Sequence, residues 1–100
     1  MREYEYELST RFSTRKSFYG KARVRVNEDD NKIEKSLISY TTMVAKYIYD
    51  KGNNTDTYIY IGHYSATTTT HQKEFFLQEG LTEKQFNKLV KVGTLTIDNN

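Results

Sequence analysis

The sequence has 100 residues, enough for one domain, with 36% hydrophobic and 28% charged residues and a net charge of +2. It contains no cysteine, which excludes disulfide frameworks and thiolate metal sites. No apolar run approaches the ~18 residues that a membrane span needs, and the N-terminus lacks the apolar core of a signal peptide. We therefore expect a single domain, residues 1–100, that is cytoplasmic and makes no membrane contact.

Strict alternation predicts two strands near the N-terminus. Residues 3–8 alternate tyrosine or leucine with glutamate, and residues 21–26 alternate small aliphatic residues with lysine or arginine. If the two strands pair antiparallel, both apolar sets face the core, and the glutamates stand beside the cations on the other face. Residues 9–20 are then either a connection between the strands or an extension of the first one.

Three further segments complete the strand predictions. A polar turn at residues 27–32 precedes a strand around residues 33–41, and residues 43–49 are either its continuation past a bend or a separate strand. Glycine and asparagine within residues 50–56 indicate a hairpin loop, because both tolerate positive φ. Residues 57–65 return as the next strand.

Helix signals follow the strands. Thr69 with Gln72 has the pattern of a capping box, and Gly80 is placed to end this first helix. Thr82 with Gln85 repeats the capping-box pattern for a second helix, which the last glycine of the chain ends.

The order of these elements predicts the fold class. Strands followed by helices indicate an α+β fold with an antiparallel sheet of about four to five strands. Residues 1–64 are mainly strands, and residues 67–92 form two short C-terminal helices packed on one face of the sheet. Residues 94–97 can add a short edge strand.

The positive charge is concentrated at the start of the chain. Residues 1–26 carry seven Arg or Lys against three Glu, whereas residues 27–100 carry eight Lys against ten Asp or Glu. A field with this polarity favours encounters with an anionic partner, although obligate nucleic-acid binders are more densely basic.

The cations have two interpretations. Those of residues 21–26 are explained by pairing with glutamates on the neighbouring strand, which we favour for that segment. Those of residues 11–16 have no acidic neighbours in sequence and lie among aromatic residues, which suits phosphate contact with base stacking and equally suits a solvated loop. Tyrosines around the predicted hairpin either pack in the core or form an interaction surface. The candidate surface for a partner or a nucleic acid comprises Arg11, Arg15, Lys16, Phe18, Tyr19, Lys21, Arg23 and Arg25.

The stretch at residues 62–72 contains both histidines, His63 and His71. No carboxylate is near either before Glu74, so no metal site is predicted, and Ser65 lacks the base and acid of a nucleophilic triad. Its threonines are best explained as helix capping. We predict no catalytic residues and no cofactor. The alternative is an anion site at a helix N-terminus, comprising Thr68, Thr69, His71 and Lys73.

Three stretches carry a resemblance to a known family. "RFSTRKSFYGKA", "LISYTTMVA" and "GHYSATTTTHQKEFFLQEG" together cover roughly residues 10–80. They resemble a family of small uncharacterised proteins from phages, plasmids and integrated elements of Gram-positive Firmicutes. The resemblance offers no catalytic residues to transfer, and it implies an accessory protein of a mobile element that is not an enzyme and acts in the cytoplasm of a bacterial host.

Two functions follow from this context. The first is a protein that binds and inhibits a host defence nucleoprotein, by analogy with anti-CRISPR proteins. Its partner would be a host defence protein or the complex of that protein with nucleic acid. The alternative is an accessory protein of a phage or plasmid that binds DNA or RNA directly, with an affinity that falls steeply with salt. In a third, purely structural role the cations would be dispensable.

Overall fold

A computed structural model describes residues 1–100 and confirms the predicted α+β class: one antiparallel sheet carries two helices on one face. The sheet has six strands, more than the four to five predicted, because residues 43–49 and 94–97 each lie in a separate strand. Neither helix is long and apolar enough to cross a membrane. In chain order the elements are β1 (Arg2–Glu7), β2 (Ala22–Glu28), β3 (Lys32–Ser39), β4 (Thr42–Asp50), β5 (Thr55–Tyr60), α1 (Ala66–Gln78), α2 (Glu83–Val92) and β6 (Thr94–Asp98).

The strands lie side by side in the order of the chain. The first five form consecutive hairpins, and the two helices are inserted before β6, which returns antiparallel beside β5. The predicted edge strand at the C-terminus is therefore confirmed. This arrangement leaves β1 and β6 as the two edges and one sheet face free of helices.

The pairing of β1 with β2 follows the predicted register. Glu5 lies opposite Arg25, and Glu7 lies opposite Arg23. The Glu5 carboxylate is 3.0 Å from the Arg23 guanidinium and 3.6 Å from that of Arg25. Because these side chains are partly exposed, each pair contributes at most about 1 kcal/mol. In the free protein these two arginines therefore pair with the neighbouring strand, as we favoured from the sequence. For Lys21 the same expectation is wrong, since it forms no ion pair.

A tight turn divides residues 33–49 into two strands. β3 and β4 are joined through Tyr40 and Thr41, and Tyr40 adopts the left-handed conformation with φ +57°. The register then shifts at a bulge between Leu37 and Ile38. The predicted hairpin loop after residue 50 is confirmed, since β4 and β5 pair on either side of it.

The core lies between the helix-covered face of the sheet and the two helices. The inward residues of β2 are fully buried, as the alternation predicts. Aromatic rings supply much of the remaining volume, because aliphatic residues are few. The main contributors are Ala22, Val24, Val26, Leu37, Ala45, Tyr58, Phe75, Phe76, Phe86 and Leu89.

The N-cap of the first helix lies four residues before the predicted one. Ser65 is the N-cap, and its hydroxyl oxygen accepts a bond from the backbone N–H of Thr68. The capping box predicted at Thr69 and Gln72 is wrong: the Thr69 hydroxyl donates to the Ser65 carbonyl, and the Gln72 amide donates to the Val44 carbonyl. Tertiary packing of this threonine-rich turn overrides its low intrinsic helix propensity.

The second helix agrees with the sequence prediction. The Thr82 hydroxyl accepts a bond from the Gln85 N–H at 3.1 Å, and the Gln85 side-chain oxygen accepts one from the Thr82 N–H at 2.9 Å. Gly93 ends the helix with φ +86°, and its N–H donates to the Leu89 carbonyl. Reciprocal capping thus fixes the start of α2.

Candidate functional site

The connection between β1 and β2 presents most of the cations that the sequence singled out. We call residues 9–21 the basic loop. Its four cationic side chains, Arg11, Arg15, Lys16 and Lys21, are all exposed, and none of them forms an ion pair. They are therefore free to contact an anionic partner.

A buried carboxylate from α1 holds the start of the basic loop. Glu74 is only 2% exposed. Its oxygens accept bonds from the backbone N–H of Phe12, at 2.9 and 3.1 Å, and from that of Ser13, at 2.9 Å. The Gln78 amide donates to Glu74 at 2.7 Å and to the Ser9 carbonyl at 2.8 Å. Charge-assisted bonds of this kind are roughly twice as strong as neutral ones, so the loop backbone is fixed to α1.

Sequence reasoning missed this role of Glu74, which it noted only as the carboxylate nearest the histidines. One signal was available: Glu74 directly precedes the apolar pair Phe75 and Phe76, so it starts a buried stretch of the helix. A buried carboxylate needs hydrogen-bond donors, and here the donors are backbone groups of the basic loop.

The far end of the basic loop is held by a buried ring. Phe18 is 3% exposed and packs edge-on to His71, with ring centroids 4.6 Å apart. Its prediction as an exposed binding residue is therefore wrong for the free protein, because the small core takes up this ring. The next two residues, Tyr19 and Gly20, reverse the chain with φ +54° and +75° before β2 begins.

Exposed aromatic rings occur within the basic loop and on the turn next to it. Tyr19 is 76% exposed and Phe12 is 55% exposed. Tyr40, which the sequence did not single out, is also exposed, and the Lys21 ammonium nitrogen lies 5.6 Å from its ring centroid. The Tyr40 N–H donates to the Lys21 carbonyl at 2.7 Å, which ties the β3–β4 turn to the basic loop. Lys21 and the Tyr40 ring thus lie together at the end of the basic loop that enters β2.

The alternative anion site is not formed. Thr68 and His71 are buried, and the Thr69 hydroxyl donates its hydrogen bond to the Ser65 carbonyl. Lys73 is ion-paired with Glu83. The prediction is wrong because α1 buries two of these side chains and the other two are bonded to groups within the fold.

The structure brings a serine and a histidine together that the sequence did not pair. The Ser39 hydroxyl is 2.8 Å from His71 Nδ1 and 3.2 Å from the Thr68 hydroxyl. His71 is 1% exposed, and burial together with the positive charge of Arg15 lowers its pKa below the ordinary 6.5. The neutral ring is therefore a packing element that joins α1 to the end of β3 under the basic loop.

Tyrosines near the other end of the sheet are hydrogen-bonded within the fold. The Tyr47 hydroxyl donates to Asp56 at 2.5 Å, and the Tyr58 hydroxyl donates to the Glu79 carbonyl at 2.9 Å. Burial first, then the nearby carboxylates, raises the pKa of Tyr58 to about 12. Lys35 pairs with the Glu79 carboxylate at 3.0 Å. These tyrosines stabilise the fold and make no contact with the basic loop.

The model of a family of unknown function, DUF8033, matches residues 6–91, and this chain belongs to that family. Searches of curated proteins and of solved structures found no match. The family match confirms the predicted resemblance to uncharacterised proteins. An origin in mobile elements of Firmicutes stays a prediction.

Proposed function

We propose that this DUF8033 protein is a non-enzymatic nucleic-acid-binding protein and that the basic loop is its contact surface. The observation that carries the proposal is a set of four exposed, unpaired cations on a backbone fixed by Glu74. Arg and Lys side chains supply most protein contacts to phosphates. A loop that is already ordered loses less conformational entropy on binding, which favours its use as a contact surface.

The remaining charges support the assignment of this surface. Arg23 and Arg25 flank the loop but share the Glu5 carboxylate, so we expect them to contribute less than the four free cations. Glu7 is the acidic residue at the β1 end of the loop, with a carboxylate oxygen 3.8 Å from the position of a Cβ on Gly20. It opposes an anionic ligand locally and limits the affinity.

A second function, inhibition of a host defence nucleoprotein by a mobile-element protein, uses the same surface. Tyr19, Phe12 and Met43 are exposed large side chains, the first two within the basic loop and the third just after the turn tied to it. Aromatic residues and arginine are enriched at protein–protein hot spots. Such a surface suits a partner that presents protein and nucleic acid together, as a nucleoprotein does.

The test is a titration of the purified protein against single-stranded DNA, duplex DNA and structured RNA at two salt concentrations. Four phosphate contacts predict a slope of log K against log[salt] of about −3 on a single strand, so that affinity falls about 50-fold between 50 and 200 mM salt. An Arg15→Ala/Lys16→Ala variant removes two contacts and should lower the slope to about half.

A matched control removes two cations elsewhere. Lys84 and Lys88 lie on α2, are exposed and form no ion pair, so Lys84→Ala/Lys88→Ala changes the net charge equally. This control should keep the wild-type slope. If both double variants lose affinity alike, binding reflects net charge and the loop is not the contact. If the wild type binds none of the nucleic acids at the lower salt, direct binding is wrong, and host nucleoproteins become the targets to assay.

A further inference from the structure

Two tyrosines adopt a backbone conformation that tyrosine rarely takes. Three non-glycine residues have positive φ: Tyr19 at +54°, Tyr40 at +57° and Asn54 at +53°. Asparagine accepts the left-handed region readily, whereas a bulky residue there is unusual and costs free energy. Asn54 sits in an ordinary hairpin loop. The backbone at both tyrosine positions therefore suits glycine or asparagine better than tyrosine.

These two tyrosines are neighbours at the same end of the sheet. Tyr19 precedes Gly20 and Lys21 at the end of the basic loop, and the Lys21 carbonyl accepts a bond from the Tyr40 N–H. The next residues along, Ala22 and Ser39, are paired across β2 and β3. Both rings are exposed, Tyr19 by 76% and Tyr40 by 47%. The Tyr40 ring centroid lies 6.0 Å from that of His71, so packing accounts for part of its placement, whereas the Tyr19 ring is largely in solvent.

We infer that Tyr19 and Tyr40 form a stacking platform for unpaired bases and that the ligand is a single-stranded polynucleotide. This inference rests on the proposed nucleic-acid binding and adds the kind of strand. Backbone strain concentrates at functional sites, where the side chain is kept for its contacts and not for stability. Bases stack on exposed aromatic rings only when they are unpaired, while neighbouring cations follow the phosphates.

The cations are placed to serve such a strand. Lys21 lies against the Tyr40 ring, and Arg15 and Lys16 precede Tyr19 in the same loop. A strand whose bases stack on the two rings would pass its phosphates along these side chains. The rings project from turns and not from a helix or a two-stranded ribbon of the kind that enters a major groove, so a duplex would meet the cations alone.

The test compares oligothymidylate, oligouridylate and a mixed-sequence duplex, each of about 16 nucleotides per strand. Tyr19→Ala and Tyr40→Ala should each weaken binding of the single strands by about 5-fold or more, while duplex binding and its salt slope stay unchanged. The thymidylate and uridylate arms separate a DNA ligand from an RNA ligand. Tyr4→Ala is the aromatic control. Tyr4 is 41% exposed, close to the value for Tyr40, but it lies on β1 opposite Val26, away from the basic loop.

A second pair of variants separates stacking from structural damage. Tyr19→Asn should raise the thermal midpoint of the free protein, because asparagine accepts positive φ and the Tyr19 ring is largely in solvent. Tyr19→Asn and Tyr40→Asn should both still weaken single-strand binding as the alanine variants do. Unchanged single-strand binding in these variants, with salt-sensitive binding intact, would overturn the stacking platform and leave the proposed function standing. Failure of every nucleic acid to bind the wild type would overturn both.

Discussion

Replacement of Glu74 tests whether a buried carboxylate holds the basic loop in place. Glu74→Gln keeps the shape of the side chain but removes its charge, and its amide group replaces one of the two acceptor oxygens. The carboxylate receives three donors: the N–H groups of Phe12 and Ser13 and the amide of Gln78. A hydrogen bond to a charged group contributes about 1.5–3 kcal/mol and a neutral one about 1, so the loss is about 1 kcal/mol per bond.

We therefore expect Glu74→Gln to lower the free energy of unfolding by about 2–3 kcal/mol. This is a large share of the roughly 5–15 kcal/mol typical of a small domain. At about 1.5 kcal/mol per molar urea, the unfolding midpoint should fall by about 1.5 M. Amide hydrogen exchange should accelerate at Phe12 and Ser13 ahead of the sheet, because the loop opens locally.

The control is Glu83→Gln, which removes a charge from an exposed carboxylate at the start of α2 that pairs only with Lys73. It should leave the urea midpoint and the exchange at Phe12 and Ser13 nearly unchanged. A Glu74→Gln midpoint within about 0.3 M of the wild type, with normal protection of those two amides, would refute the anchoring role.

Three further outcomes are expected. Because the pKa of His71 is lowered in the folded state, the unfolded chain takes up a proton more readily than the folded one. The contribution of His71 to stability is therefore complete above the unfolded pKa of 6.5 and declines below it. Urea midpoints should fall between about pH 7 and pH 5 in the wild type and should fall less in His71→Gln. Gly93→Ala should cost about 1 kcal/mol by chemical denaturation, because alanine is strained at φ +86° although nothing lies within 4 Å of its Cβ; a neutral result would contradict this capping role. Thr82→Ala should cost about 1 kcal/mol, and adding Gln85→Ala should cost less than the sum of the single changes, since the two side chains cap each other; strict additivity would argue against the reciprocal cap.

Features that depend on neighbouring residues were predictable. The alternation of residues 3–8 and 21–26 predicts both strands, and their opposite charges predict the register in which Glu5 meets two arginines. The capping pattern of Thr82 and Gln85 predicts the start of α2. Each of these signals uses a short span of sequence with a known periodicity or spacing.

The candidate site was predictable only in part. The basic composition of residues 11–21 pointed to the loop, and Tyr19 is indeed its most exposed aromatic residue. The same stretch suggested Phe18 as a binding residue alongside Tyr19, although Phe18 is in the core. Composition cannot separate the two, because the choice depends on which ring fills the space beside His71.

Residue patterns alone predict the α+β class, the β1–β2 pairing and the concentration of cations before residue 26, since periodicity and charge act locally. Long-range packing is what makes Glu74 anchor the loop, turns Thr68 and His71 inward, and brings the Tyr40 turn to the end of the basic loop that follows Tyr19. The Phe12–Glu74 contact joins residues 62 apart in sequence. Such pairings are selected by the joint packing of a sheet face and a helix, and no local pattern of residues specifies them.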